Sequence, residues 1–369
     1  VRSAVSPPPR AAVLGSALLL VAALGCGGGP SPRLVNAPIG ADRPWVSEED
    51  RSHPLVGRIW DARAETFLDE GALSARAAAA DFVLLGEVHD NPDHHLLQAR
   101  LVRAVTAAGK RPALLFEHLD EDVQEKVDGA VARRPRDPDA IGEAVEWEKS
   151  GWYAFSMFRP IFAAGLDAGL PIVAANLPRK IAKHVVVKGA DALSPELRAR
   201  LAGAEPLPDD VVRGLREEMK RSHCDAPLPE PFLDKLALAQ RARDAQMAGR
   251  MRERGAGRGA VLVTGNGHAR TDRGVPAFLA REAPGRAVVS IAFLEVSEGW
   301  RAPGEYAADF GAAALPFDLV VFTPRTERED PCEDLRGHDW SKAKPGADGK
   351  DPAPAPGGAP PAAPAETPR

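Results

Sequence analysis

Six short apolar runs constrain this chain more than any other feature: Phe82–Leu85 (FVLL), Ala113–Phe116 (ALLF), Ile172–Ala175 (IVAA), Val261–Thr264 (VLVT), Val288–Phe293 (VVSIAF) and Leu319–Phe322 (LVVF). They are of strand length and do not alternate with polar residues. Strands of that kind are covered on both faces, as in parallel sheets. Helical stretches lie between them. Pro92–Ala108 carries Leu96, Leu97, Leu101, Val102 and Val105 at helical spacing, and Phe232–Glu253 carries Phe232, Leu236, Met247 and Met251 on one stripe. Both stripes are read as core packing. The β-α order predicts an α/β fold with a mainly parallel β-sheet flanked by helices and joined by right-handed crossovers. Residues 120–255 hold mostly helical segments and one clear strand, and are read as a helical insertion or cap subdomain beside the sheet.

The two ends are read as lying outside this fold. Arg2 and Arg10 precede Ala11–Gly25, an uncharged apolar run of 15 residues that is too short to span a bilayer and suits a secretion signal. The run closes on Ala23-Leu24-Gly25-Cys26, a pattern a lipoprotein signal peptidase accepts, with Cys26 as the lipid-bearing residue. Residues 1–25 are thus read as a signal peptide, 26–50 as a tether and 51–335 as the folded domain. Residues 342–369 contain eight Pro, eight Ala and four Gly, with no larger aliphatic side chain, and are read as a disordered tail. The expected location is the cell envelope, membrane-bound through the lipid, at the bacterial outer membrane or periplasmic face. Cys224 and Cys332 then remain as an even pair. In an oxidising envelope that suggests a disulfide, the alternative being two free buried thiols. With 47 basic and 52 acidic residues the formal charge is −5, so no basic surplus exists for nucleic acid.

Ligands of open parallel sheets bind beyond the carboxyl ends of the strands. Four of the apolar runs end in polar residues: Gly86-Glu87-Val88-His89, Glu117-His118, Asn176 followed by Arg179, and Gly265-Asn266-Gly267-His268. Two of these are Gly-x-x-His turns. Glu87, His89, Glu117 and His268 form the candidate catalytic set, with His89 and His268 as candidate ligands of a divalent metal such as zinc or manganese. Asn91 and Pro92 have the form of a helix N-cap and N1, which puts His94 and His95 in a first helical turn. One of that pair is read as solvated. His118, offset by one from Glu117, should point to the other side of its strand and is read as structural.

Five aromatic residues, Trp147, Trp152, Tyr153, Phe155 and Phe158, fall within twelve positions and are followed by Arg159. The cluster reads either as helix packing or as the wall of a flat apolar pocket with a cation at its edge. A phenolate such as that of Tyr153 can ligate ferric haem.

Taken together, LLGEVHDNPDHH, LLFE, GWYAFSMFRP, IVAANLPR, RDAQMA (Arg243–Ala248), VLVTGNGHAR and VVFTPR…DPCE resemble the ChaN-like family of haem-binding lipoproteins, over residues 55–335. Its superfamily includes Tiki-type metalloproteases and erythromycin-esterase-like hydrolases. The resemblance implies haem binding connected with iron uptake, and a haem site that can form across a homodimer. It carries over Glu87, His89, Glu117 and His268 at the rim, and Tyr153, Arg159, Asn176 and Arg179 toward the cofactor. Phe158 stands where similar sequences often have a tyrosine. A lipid-anchored haem carrier is the leading reading. The alternative is a metal-dependent or His/Glu-dependent hydrolase built on the rim.

Overall fold

The computed structural model describes Ile39, residues 44–204 and 206–330, and Cys332 and Glu333. The expected signal segment, Cys26 and the Pro/Ala-rich tail lie outside the described residues. The eight strands are β1 (Ile59–Asp61), β2 (Thr66–Leu68), β3 (Phe82–Glu87), β4 (Ala113–Asp120), β5 (Ile172–Asn176), β6 (Ala260–Gly265), β7 (Val288–Glu295) and β8 (Leu319–Thr323). They form one sheet in the order β2-β1-β8-β7-β3-β6-β4-β5. All six apolar runs are strands, and the six are mutually parallel. The two short strands β1 and β2 pair antiparallel at one edge.

The helices are α1 (Glu70–Ala79), α2 (Pro92–Ala107), α3 (Gln124–Arg133), α4 (Pro138–Ala144), α5 (Phe155–Asp167), α6 (Arg179–Lys188), α7 (Pro195–Ala202), α8 (Asp209–Arg221), α9 (Glu230–Arg254), α10 (Asn266–Ala269) and α11 (Val275–Glu282). Alternation along the strands divides the apolar side chains between two cores. Val83, Leu85, Leu114, Phe116, Val261, Val263, Ile291 and Val321 pack with α1–α5. Phe82, Leu84, Ala113, Leu115, Leu262, Ala292, Val320 and Phe322 pack with α6, α7, α9 and α11. The helices between residues 120 and 255 therefore serve both layers: α3, α4 and α5 cover one face of the sheet, and α6, α7 and α9 cover the other. Only α8 and the start of α9 build a small core of their own, from Leu215, Met219 and Leu233.

Residues 44–50, read from sequence as tether, belong to the fold. The backbone amides of Val46 and Ser47 donate to Asp93, and Glu49 bridges to Arg325. The Cys224–Cys332 disulfide forms, with Cα atoms 5.4 Å apart, and ties the turn after α8 to the far end of the described chain. No helix among the described residues is long and apolar enough to cross a membrane.

Candidate functional site

The parallel strands deliver their last residues to one edge, and alternation decides which side of the sheet each side chain takes. Glu87 shares a face with Leu85, toward α2 and α5. Glu117 shares a face with Leu115, toward α9. Strand β6 lies between β3 and β4, with Glu87 opposite Gly265 in register. Gly86 is needed here for close approach: a Cβ on it would lie 2.5 Å from Oδ1 of Asn266, whose amide reaches across to donate to the Phe293 carbonyl.

On the α2 side, Oε1 of Glu87 lies 2.8 Å from Nδ1 of His89 and 2.9 Å from Nε2 of His118, and these two nitrogens are 3.3 Å apart. Oε2 of Glu87 accepts from Gln98 at 2.7 Å, and His95 Nδ1 is 3.3 Å from it. Burial alone would raise the Glu87 carboxyl. His95 and His118 beside it, with hydrogen bonds from His118 and His89, hold it well below the ordinary carboxylate range. His118 is pushed down by burial.

His118 thus points away from Glu117, as the one-residue offset predicts. That direction leads to Glu87, so His118 joins the polar network instead of serving only as packing. Neither His94 nor His95 is solvated. Asn91 caps α2 by accepting from the amides of Asp93 and His94, with Pro92 in the first turn, and the cap sets both histidines inside the fold. His94 Nδ1 accepts from the Val88 amide, its Nε2 meets Thr323 Oγ1 at 2.8 Å, and burial lowers its pKa to about 3.

On the α9 side, Oε2 of Glu117 accepts from Thr264 Oγ1 and the Gly265 amide, both at 2.7 Å. Its Oε1 accepts from Arg243 at 2.9 Å and lies 3.4 Å from His268 Nε2. His268 Nδ1 is 2.6 Å from Oδ1 of Asp244. Arg243 also donates to Asn176 Oδ1. Burial works against a charged His268, but the Glu117 and Asp244 carboxylates outweigh it and raise its pKa to about 9. The ring is therefore an imidazolium at neutral pH, and the Gln240 amide beside Nε2, 3.1 Å away, must turn its oxygen toward it. Burial raises the Glu117 carboxyl, while His268, Arg243 and His89 together bring it well below its ordinary value.

Gln240, Arg243 and Asp244 occupy one face of α9 at helical spacing. In the sequence, RDAQMA carries only a resemblance; the parts played by Arg243 and Asp244 come from the fold. The signal in the sequence is limited to an acid, Asp244, set among Arg241, Arg243 and Arg250; its burial is a property of the fold.

The four rim residues thus end at the same sheet edge, in two networks on opposite sides of β6. Glu87 with His89 forms one and Glu117 with His268 the other, and His89 is close enough for its charge to act on Glu117. His268 does not share a donor cluster with His89. Among the described residues, the group that can hold a metal is Glu87, His89 and His118, with donor atoms all within 4.8 Å of one another. Glu87, Glu117 and His268 have no exposed surface, and His89 has 1%.

The aromatic cluster divides. Trp147, Phe155 and Phe158 are core residues. Trp152 is half-buried and roofs the first network, its ring centroid 4.6 Å from that of His118 and 5.0 Å from that of His89. Tyr153 is 40% exposed. Its carbonyl accepts from the Trp147 indole, while its hydroxyl has no hydrogen-bond partner among the described residues. Burial and then the Asp90 carboxylate raise its pKa, against the pull of Arg328. Arg159 does not reach this loop as its cation: it forks onto Asp139 of α4, with Nε 2.9 Å from Oδ1. A cation beside the loop is Arg179, whose Nη1 would lie 3.5 Å from a Cβ on Gly151; Arg328, also near Tyr153, is held by Asp90 and Glu295. The Arg179 guanidinium makes no ion pair within contact distance among the described residues, although its charge acts on Asp120, which accepts from the Arg179 backbone amide.

A mainly parallel α/β sandwich with paired carboxylate–histidine networks at the strand ends, beside an exposed tyrosine, is the class this geometry defines. The chain belongs to the haem-binding uptake family ChaN of the Tiki superfamily, whose model matches residues 73–279, more than half of the chain. It is similar to the solved structure of cofacial haem binding to ChaN of Campylobacter jejuni, at 20% identity, over 71% of this chain and 95% of that one, with a TM-score of 0.54. That likeness bears out the α/β fold. It is also similar to a mutant erythromycin esterase EreC in its open conformation, at 14% identity, over 71% of this chain and 95% of that one, with a TM-score of 0.42. No curated protein matches the sequence.

Proposed function

We propose that the protein binds haem on the outer face of the Trp152–Tyr153 loop, with the Tyr153 phenolic oxygen on ferric iron and Arg179 on a propionate. The observation that carries this reading is the contrast in exposure. Tyr153 presents 40% of its surface and a hydroxyl with no hydrogen-bond partner among the described residues, while the polar rim is sealed. The residues present fit the group. Haem supplies a planar apolar ring, an iron with an open axial position and two carboxylates. Trp152 offers a flat wall, Tyr153 an oxygen ligand and Arg179 a planar fork suited to a carboxylate. The raised phenol pKa means the proton leaves only when iron takes its place, so binding weakens as pH falls.

A haem held on an open face leaves its other face uncovered, which suits a homodimer packed across two such groups, as the cofacial arrangement of the Campylobacter relative suggests. The disulfide is what an oxidising compartment would permit. With lipid on Cys26, the protein would act at the cell envelope as a membrane-anchored carrier that holds haem for iron uptake. Titration of the purified mature protein with haemin tests the reading. A Soret shift saturating at micromolar haemin is expected, weakened at least tenfold in Tyr153→Phe. Equal binding by that variant refutes it.

A second reading, hydrolysis at the rim, is favoured by one observation: the Glu117–His268–Asp244 chain holds a proton ready for a leaving group. Its test is turnover of simple ester substrates that disappears in His268→Ala.

A further inference from the structure

We propose that Glu87 Oε1, His89 Nδ1 and His118 Nε2 are the protein ligands of a divalent transition-metal ion, in a site roofed by Trp152 and separate from the haem face. Three arguments lead there.

The first is spacing. The three atoms are 2.8, 2.9 and 3.3 Å apart. A metal with bonds of about 2.0–2.2 Å places neighbouring ligand atoms about 2.8–3.6 Å apart, depending on whether the shell is octahedral or tetrahedral. The triangle already has the dimensions of one face of such a shell. The two imidazole rings stand at 89° to each other, so their nitrogens converge from different directions.

The second is the accounting of protons. If both nitrogens carry hydrogen, both can donate to Oε1, and the 3.3 Å contact between the two nitrogens is then no hydrogen bond. If either gives up that hydrogen, its lone pair faces the carboxylate oxygen at 2.9 Å or less. The neutral tautomers thus leave Oε1 as the shared acceptor of both rings, with the two nitrogens in contact but unbonded to each other. A cation at the centre accepts all three lone pairs at once. Nδ1 of His118 makes no hydrogen bond in any of these states. The ring is set among Trp147, Trp152 and Phe158, and its polar engagement is confined to Nε2. An apolar side chain would fill that aromatic box without burying an unpaired nitrogen, so packing alone does not account for a histidine there.

The third is support. Oε2 of Glu87 is held by Gln98, which also donates to the Leu85 carbonyl, and this turns Oε1 toward the histidines. Such outer contacts orient metal ligands in general. Two imidazoles and one carboxylate suit zinc, iron(II), cobalt or nickel better than calcium or magnesium, which take mainly oxygen ligands. The assignment replaces the His89–His268 pair expected from sequence with a set drawn from β3, the turn after it and β4.

The test uses mature protein stripped with a chelator and kept free of haem. Co²⁺ titration should give one equivalent per chain, with a visible absorption band that Zn²⁺ displaces, excess Mg²⁺ does not, and quenching of Trp152 accompanies. His118→Leu should weaken Co²⁺ binding tenfold or more, while its thermal midpoint in chelator equals or exceeds that of the parent. Should that variant fail to fold, the parent decides: Zn²⁺ must raise its thermal midpoint. Absence of a stoichiometric band and of that rise overturns the proposal. So does undiminished binding in His118→Leu, or loss of binding in His268→Asn with retention in His118→Leu. Haem binding by Tyr153 is measured separately and does not bear on these outcomes.

Discussion

The buried imidazolium of His268 makes the stability of this protein depend on pH in a way that can be worked out in advance. Its pKa rises from 6.5 to about 9 on folding, because Glu117 and Asp244 flank it inside the protein. At 1.36 kcal/mol per pKa unit, that corresponds to about 3 kcal/mol. A base whose folded pKa is raised contributes its stability in full below the unfolded value. It loses it as pH rises through the folded value, so the decline runs from about pH 6.5 to about pH 9. The group has no exposed surface, so solvent screening takes little from this figure. His94 acts on the other limb. Burial holds its folded pKa at about 3, so below pH 6.5 the unfolded chain takes up a proton that the folded protein refuses until about pH 3. Stability should therefore be greatest near pH 6.5. Urea unfolding followed by circular dichroism at pH 6.5, 7.5, 8.5 and 9.5 reads the alkaline limb. The loss of about 3 kcal/mol should also appear as a fall of roughly 6–12 °C in thermal midpoint. In His268→Gln the alkaline decline should largely vanish. A flat profile for the parent between pH 6.5 and 9, or an undiminished decline in the variant, would refute the reasoning.

Other outcomes follow from particular contacts. Arg179→Ala should weaken haem binding several-fold in a haemin titration, whereas Arg159→Ala should not change it, because Arg159 is committed to Asp139. Gly86→Ala should cost about 1–3 kcal/mol in urea unfolding, since the new methyl group meets Asn266 at 2.5 Å and the Ala269 side chain at 3.0 Å. Reduction of Cys224–Cys332 opens a loop spanning 108 residues and should lower stability by up to about 4–5 kcal/mol, read as a drop in urea midpoint with dithiothreitol. Co²⁺ binding in the absence of haem should follow His118 and not His268.

Much of the sheet was legible because its signal is local. Each of the six parallel strands is buried on both faces, so each announces itself as an uninterrupted apolar run, and the Asn91-Pro92 pair marks the start of α2 as plainly. The short antiparallel strands β1 and β2, three residues each, carry no comparable signal. Residues 44–50 look like linker because what anchors them is backbone, their amides donating to Asp93. The interval from 120 to 255 reads as one insertion because its helices are consecutive. Which layer each helix joins depends on where β5 returns to the sheet.

The amino-acid sequence alone determined the strands, the caps and the type of residue at each strand end, since these rest on neighbours a few positions away. Tertiary structure decided which of those residues meet. His118 is opposite Glu117 by simple alternation, yet it meets Glu87 only because the strand order runs β3-β6-β4. His268 is an acid only because the fold sets Glu117 of β4 and Asp244 of α9 on either side of it. Such pairings are set by strand order and helix placement, which depend on packing between segments remote in sequence, and local patterns do not encode them.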